Sequence, residues 1–480
     1  MNDANGQFFG RRAMLDVLSG HLRAVQSSHR GRMLAVRGRR QVGKSTVVER
    51  FVDAAETPYA FVTGVYQAPA VKQLEDATRA MGESRHPVPD LELLTQTPAT
   101  SWREWFSRLG LAARSGPVIA VLDEFPWLVG GDRTLEGELQ AAWDRSLERL
   151  PVLLILVGSD VAMMDSLASH GRPLFGRVSP LVIPALDPGE VADALPGRSA
   201  VEVFDASLVT GGYPRLVLDL AASGLSADDY VRRALRDAYS PLVTTGRLTL
   251  DAEFPEPQTA YRVLSAIGSS DTANPGFTDV VGAIADPGER QSTQVAITRA
   301  LATLTGTKAM IEKELPAWAP PSSKLRRYRV TDPYLRFWFR YVERYIDPIS
   351  RGRADLAIDA FDRDWTSWRG QSIEPIVRHS LQCLALHDPR LAGVETVLPW
   401  WNRSNVEIDV VAATRAGTPL VGTIKWRTGG PVTSAEVNQL RQQRTNVPHA
   451  EEALVAAISP SGEAVGADVT FSADELLAAW

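Results

Sequence analysis

Cysteine is nearly absent: Cys383 is the single one in a chain of 480 residues. No disulfide can form within the chain, and no cysteine cluster can hold zinc. The seven histidines are scattered without ligand spacing, so a histidine-based metal centre is not expected either. Long apolar runs are missing too. The longest, Pro151 to Val157, is far shorter than the roughly 20 residues that a membrane-spanning helix needs. Met1–Gly6 lacks the basic-then-apolar profile of a secretory leader. There is no internal repeat and no long low-complexity tract. Positive charge is not in surplus: 51 Lys and Arg stand against 57 Asp and Glu, a net charge of −6. That argues against wholesale electrostatic binding to nucleic acid but leaves room for a local basic patch. A cytoplasmic globular protein without a membrane span is the expectation. The 44% hydrophobic and 22% charged residues are ordinary for that class, and the length suggests about three domains.

What is present begins at Gly38-Arg39-Arg40-Gln41-Val42-Gly43-Lys44-Ser45-Thr46, which fits G-x-x-x-x-G-K-[ST]. The apolar Met33–Val36 before it reads as a buried strand, and Thr46–Val52 after it as a helix with an apolar face. Strand, glycine loop and helix together make a phosphate site, because curled backbone N–H groups and a helix N-terminus point at phosphate oxygens. Residues 38 to 46 are therefore expected to bind ATP. Lys44 would reach the β- and γ-phosphates, and the Ser45 hydroxyl would ligate Mg²⁺.

Pro117–Glu124 is a continuous apolar run closed by two acids, as expected of a central parallel strand buried on both faces. At its carboxyl end, where such sheets place ligands, Asp123 suits the Mg²⁺ position. Glu124 suits the group that orients or deprotonates the attacking water. Ala60–Thr63 and Val152–Val157 read as two further strands. Ser159, just beyond the latter, is the candidate γ-phosphate sensor. Arg172 and Arg177 lie in a loop-like segment, where either can stabilise charge on a transferring phosphoryl group or simply pair with a local acid.

From Val201 to Arg236 the pattern is helical, broken at Gly211-Gly212-Tyr213-Pro214-Arg215. This reads as a lid, with Arg215 either reaching nucleotide or capping a helix. Residues 260 to 329 read as helix, turn, helix and then two strands, Lys308–Leu315 and Arg326–Val330, which is a winged-helix pattern. Such a module binds DNA or serves as a protein interface. In Asp332–Tyr341, arginines interleave with aromatics as in nucleic-acid surfaces, yet Leu335, Trp338, Phe339 and Val342 also have helix-core spacing. The core reading is preferred. Further on, Glu374 lies on a helix of about Gln371–Leu386, and Val406–Val411 and Leu420–Trp426 alternate like a strand pair. Period two puts Glu407 with Asp409, and Thr423 with Lys425, on single faces. Either a Mg²⁺ site or cross-strand charge pairing on a solvated face follows.

Taken together, the chain from Phe9 onward resembles the archaeal-type P-loop ATPases of the AAA+/STAND lineage, most of all variants with a nuclease-like C-terminal domain. Gly38–Ser45, Leu122–Phe125, Gly158-Ser159 and Pro173–Arg177 carry the resemblance, with Gly212–Arg215, Asp332–Trp338, Gly370–Glu374, Glu407–Asp409 and Ile424–Trp426. It implies an α/β fold: a P-loop NTPase parallel-sheet core, a helical lid, a winged helix and a restriction-endonuclease-like α/β domain. The expected divisions are 1–197, 198–250, 251–345 and 346–480. The segment of Phe9 and Arg11, an amphipathic helix start on its own terms, falls where related ATPases line the adenine. The last domain resembles the PD-(D/E)xK nuclease fold, which implies Glu374 as the helix acid, Asp409 as the metal-binding acid and Lys425 as the lysine. Thr423 stands where that fold has an acid, so DNA cleavage stays open. The expected function is an ATP-hydrolysing switch coupled to DNA. The alternative is a signalling or scaffold ATPase that recruits a protein partner.

Overall fold

The computed structural model describes residues 8–86, 88–254, 259–272, 274–285, 290–427 and 429–480; Met1–Gly6, read above for a leader, lies outside them. The chain divides into two compact units, one of Arg11–Ala185 and one of Leu186–Trp480 with the chain start up to Gly10. Among the described residues no helix is long and apolar enough to cross a membrane.

The first unit is built on five parallel strands: β1 (Arg32–Arg37), β2 (Tyr59–Thr63), β3 (Val118–Asp123), β4 (Val152–Gly158) and β5 (Val178–Val182). Their order is β2-β3-β4-β1-β5. Every residue of β3 and β4 is buried, which is why both read as unbroken apolar runs rather than alternating ones. Because β4 sits between β1 and β3, the ends of β1, β3 and β4 open together on one edge of the sheet.

The stretch between β2 and β3, for which the sequence patterns suggested no element, holds helices Ala70–Ala80, Leu91–Thr95 and Trp102–Ala112. The last starts at Ser101, whose hydroxyl accepts the Glu104 N–H as an N-cap. It buries Trp102, Trp105, Phe106 and Leu109 on one face, the i, i+3, i+4, i+7 spacing of a core stripe. Trp105 Nε1 donates to Ala77 O at 2.9 Å, so the one polar atom of that ring is satisfied.

In the second unit, helices Ala200–Thr210, Pro214–Ser223, Ala227–Ala234 and Pro241–Glu253 come first. Helices Thr259–Gly268, Phe277–Ile284 and Arg290–Thr305 follow, then an antiparallel pair, β6 (Ile311–Glu314) and β7 (Arg327–Val330). Pro333–Tyr341 is a helix with Leu335, Trp338 and Phe339 buried, and Val342 is buried directly after it. Its aromatics are core, as their spacing indicated.

Helix Asp355–Ser372 leads almost directly into Glu374–Leu384. A second sheet follows, made of β8 (Thr396–Trp401), β9 (Glu407–Ala413), β10 (Leu420–Ile424), β11 (Leu454–Ile458) and β12 (Val469–Phe471). Its order is β12-β11-β10-β9-β8, antiparallel from β8 to β10 and parallel from β10 to β12. The pairing of β9 with β10 is the expected one; β8, β11 and β12 were not legible in the sequence. One apolar cluster runs from Leu186 to Leu476 through the helices, the β6–β7 pair and the second sheet.

Candidate functional site

The phosphate loop leaves the carboxyl end of β1 and enters helix Lys44–Ala54. Gly43 has φ 84°, a left-handed conformation that a side chain disfavours. At Gly38 a Cβ would collide with the carbonyl oxygen of Ile183, whose own N–H donates to Arg37 O at 2.8 Å. The loop is thus pinned to the strand ends on one side. On the other, the buried Arg11 donates from Nη2 to Val42 O at 2.8 Å, and Val42 is itself buried. Arg11, a candidate for the adenine region, therefore braces the loop. Phe9 packs against the core of the other unit.

Lys44 is buried and donates to Arg39 O at 2.9 Å, so its ammonium bridges the mouth of its own loop. Burial pushes its pKa down to about 8, against the pull of Glu124 and Asp123 and with a further push from Arg40. Ser45 Oγ donates to Asp123 Oδ1 at 3.1 Å, which unites the two candidate Mg²⁺ ligands. Asp123 is buried, and that burial raises its carboxyl while Ser45 and Lys44 oppose the shift.

Next to it, Glu124 takes φ 47°, left-handed without being glycine. Its position is held because Gly64 N–H donates to Asp123 O at 2.8 Å and Trp127 N–H to Glu124 O at 2.8 Å. A non-glycine residue in this region is a strained one, of the kind found at functional sites. The hydroxyl of buried Ser159, from the end of β4, donates to both Glu124 carboxylate oxygens at 3.2 and 3.3 Å. Burial first, and Asp123 second, raise the Glu124 carboxyl above its ordinary value. Three strand ends thus bring Lys44, Ser45, Asp123, Glu124 and Ser159 to one place.

Arg177 is not among them. It precedes β5 at the amino edge of the sheet, where Met33 pairs with Val178. The phosphate loop lies beyond the other end of the strands, about 16 Å away along them. There Arg177 makes a two-pronged pair with Asp144, at 2.7 and 2.8 Å, and this pairing holds the Asp144 carboxyl below its usual range. The parallel strands thus separate Arg177 from its own chain's phosphate loop. Arg172 pairs with the buried Glu136. Arg215 is exposed on helix Pro214–Ser223.

In the second unit, Glu374 opens its helix and Arg378 follows one turn on. Arg378 is buried and donates to Glu374 Oε2 at 3.3 Å, to Asp409 O at 3.1 Å and to Glu314 Oε1 of β6 at 3.0 Å. Asp409 Oδ2 accepts from Thr423 Oγ1 at 3.0 Å and from Ile424 N at 2.7 Å. Thr423, the departure from the nuclease pattern, is therefore a partner of the acid it was expected to accompany. Burial and then Asp409 push the Glu374 carboxyl up to about 8. Lys425 lies just past β10, partly buried, its N–H donating to Ile458 O at 2.8 Å. Glu407 is paired with Arg327 of β7, whose guanidinium lies 4.5 Å from the Trp401 ring centroid. Arg378 and Glu314 were not legible as site residues, since nothing in β6 marks an acid that will meet a distant helix. Among the described residues no group of three or more His, Cys, Asp or Glu could hold a metal ion.

Residues 7–155 match the family model described as AAA ATPase domain, and residues 338–440 the one described as archaea bacterial proteins of unknown function. An uncharacterized protein of Methanocaldococcus jannaschii is 24% identical over 397 residues, 82% of this chain and 82% of that protein. The Walker-type ATPase of Pyrococcus abyssi is similar in structure, with a TM-score of 0.50 and 17% identity over 70% of this chain and 97% of that one. The Aeropyrum pernix ORC2 protein, solved in ADPNP–ADP complexes, has a TM-score of 0.45 and 16% identity over 75% of this chain and 98% of its own. At that score it carries no argument, whereas the Pyrococcus structure supports the fold. The chain thus pairs a segment similar to an AAA ATPase domain with one similar to a family of archaea bacterial proteins of unknown function.

Proposed function

We propose that the protein is a Mg²⁺-dependent ATP-binding and ATP-hydrolysing switch whose nucleotide state is coupled to DNA through its C-terminal half. The observation that carries the reading is the convergence of Ser45 on Asp123 and of Ser159 on Glu124 beside the buried Lys44. A glycine-lined loop with a lysine, a hydroxyl and a backing acid fits a nucleotide with its Mg²⁺, which keeps few protein ligands and takes the rest from phosphates and water. The ion would neutralise charge on the phosphates. Residues 38 to 46 would hold the phosphates through their N–H groups, and Lys44 would face the β- and γ-oxygens. Glu124 would accept the proton of the water that attacks the γ-phosphorus as the bond to ADP breaks. Ser159 would orient that carboxylate. Arg177 keeps a finger role only toward a neighbouring copy.

The coupling to DNA rests on the three helices followed by β6 and β7, the order of a winged helix, and on the nuclease-like reading of the second sheet. The test is ATP turnover with and without linear duplex DNA at low and raised salt. DNA-stimulated, salt-sensitive turnover is expected; turnover that DNA leaves unchanged overturns the coupling.

A second reading has its own support. Arg327 and Arg329 of the hairpin are already paired with Glu407 and Glu312, which leaves the hairpin poorer in available charge for phosphates. A signalling or scaffold ATPase that recruits a protein partner is then the alternative. Its mark is a stoichiometric co-purifying protein together with turnover indifferent to DNA.

A further inference from the structure

Glu124 holds its left-handed backbone, φ 47°, at the residue from which helix Phe125–Gly131 departs. A strained non-glycine residue persists only when the surrounding structure over-determines it. A helix of seven residues cannot do this by itself, since short helices are marginal without tertiary support. The helix is held from outside, and its ties can be named.

At its start the tie is backbone. Gly64 N–H donates to Asp123 O at 2.8 Å, and a Cβ at Gly64 would meet Glu124 O at 2.7 Å. The end of β2 therefore lies directly against the strained residue. Further along the helix the tie is a side chain. Gln73, on helix Ala70–Ala80, is only 2% exposed. Its Nε2 donates to Trp127 O at 3.2 Å and to Ala68 O at 3.1 Å, so both amide protons are used. One amide thus joins helix Ala70–Ala80, the loop after β2 and the helix that Glu124 opens. The end of that helix closes over it. A Cβ at Gly131 would come within 2.2 Å of Nε2 and 2.7 Å of Ala68 O, whereas one at Gly130 would meet nothing within 4 Å. Gln73 Oε1 is buried with no hydrogen-bond partner among the described residues. A buried acceptor left unpaired is costly, and an apolar side chain of that length would fill the space without it. What the glutamine adds is its two donated hydrogen bonds, and both act on the frame of Glu124.

We propose that Gln73 is a positioning residue for Glu124: by tying Trp127 O to the loop after β2, it holds the main chain that aims the Glu124 carboxylate. The inference rests on the reading of Glu124 as the base in ATP hydrolysis. Ser159 fixes the carboxylate from the end of β4, and Gln73 fixes its backbone from the side of β2. Gln73 takes no part in the proton transfer itself.

The test measures kcat, KM and ADP affinity in the full chain for two variants and a control. Gln73→Met keeps the length of the side chain and removes both donors. Gly131→Ala leaves Gln73 in place and displaces its amide, and Gly130→Ala on the same helix is the control. The first two should lower kcat by about 10- to 100-fold while KM and ADP affinity stay within about twofold of wild type. Gly130→Ala should change none of them. In a Glu124→Gln background the same substitutions should cost nothing further, because a base that is gone cannot be misplaced. Wild-type kcat in Gln73→Met overturns the proposal. So does an equal fall with and without Glu124, which is the mark of a general structural role. Where Gln73→Met does not fold, Gly131→Ala against Gly130→Ala decides alone, and equal kcat in the two overturns the proposal. A Glu124→Gln protein as fast as wild type defeats the base reading instead, so the two failures are told apart.

Discussion

At the scale of single residues, the proposed nucleotide site would separate binding from chemistry. The hydrogen bonds to the Glu124 carboxylate come from Ser159. Glu124→Gln keeps the size and the Ser159 contact while removing the base. Turnover should fall by about 10²–10⁴-fold with ADP affinity nearly unchanged, measured by coupled ADP release and calorimetric titration. Equal turnover in both proteins would remove Glu124 from this role. Lys44 gives a pH signature. Its pKa is held at about 8 by burial, and phosphate oxygens beside it favour the charged form, so the bound value is higher. Affinity is then constant below about pH 8 and falls by up to about tenfold per pH unit above it, with proton uptake on binding. Titrations in buffers of different ionisation enthalpy check both. For stability of the protein alone the sign is opposite. A lysine held below its ordinary value weakens the fold below about pH 8, and the cost is relieved as pH rises toward the ordinary lysine value.

At the scale of elements, two motifs far apart in the chain make one joint. Tyr213 Oη, next to the Gly211–Gly212 turn, donates to Asp332 Oδ2 at 2.6 Å, while Asp332 Oδ1 caps its helix by accepting from Leu335 N at 3.1 Å. The Tyr213 ring meets Tyr334 edge-on with centroids 5.5 Å apart. Tyr334 Oη in turn donates to Leu242 O at 2.9 Å and accepts from Gly246 N at 2.7 Å, and Trp338 Nε1 donates to Val243 O at 2.9 Å. Three helices are thereby tied by buried hydrogen bonds, each costly to leave unmade. Tyr213→Phe should destabilise the second unit by about 1–3 kcal/mol. Urea unfolding would show this as a lower midpoint with an unchanged slope.

At the scale of the whole molecule, the division into two compact units predicts two thermal transitions. Ligand that binds one unit raises only its own transition, by the free energy of binding at that concentration. ADP with Mg²⁺ should shift one calorimetric peak and leave the other in place. Were both to move together, the units would unfold as one. The position of Arg177 adds a second expectation. Since it sits at the opposite sheet edge from its own phosphate loop, a finger role requires a neighbour. Specific activity should then rise with protein concentration, and Arg177→Ala should abolish that rise while a single chain's basal turnover is unaffected. Activity independent of concentration in the wild type would leave Arg177 as the partner of Asp144 alone.

The phosphate loop, β3 with its two acids, β4 with Ser159 and the helix core of Pro333–Tyr341 were legible in the sequence. Each depends on local chemistry: glycine at a left-handed turn, an apolar run buried on both faces, a helical apolar stripe. The site legible this way is one whose residues all sit at the ends of adjacent strands, so strand reading alone brings them near. What the tertiary structure decided depends on which surfaces meet. It set Arg177 on the far edge, because parallel strands carry their flanking loops to opposite ends. Arg11 became a brace for Val42 O, and Trp102–Ala112 became a core helix. In the C-terminal centre the sequence singled out Glu374 and Asp409 but not Glu314 or Arg378, which meet across 64 residues of chain. Whether an acid is free for a metal or held by an arginine is a question of packing, and charge pairing across distant elements leaves no periodic trace in a sequence.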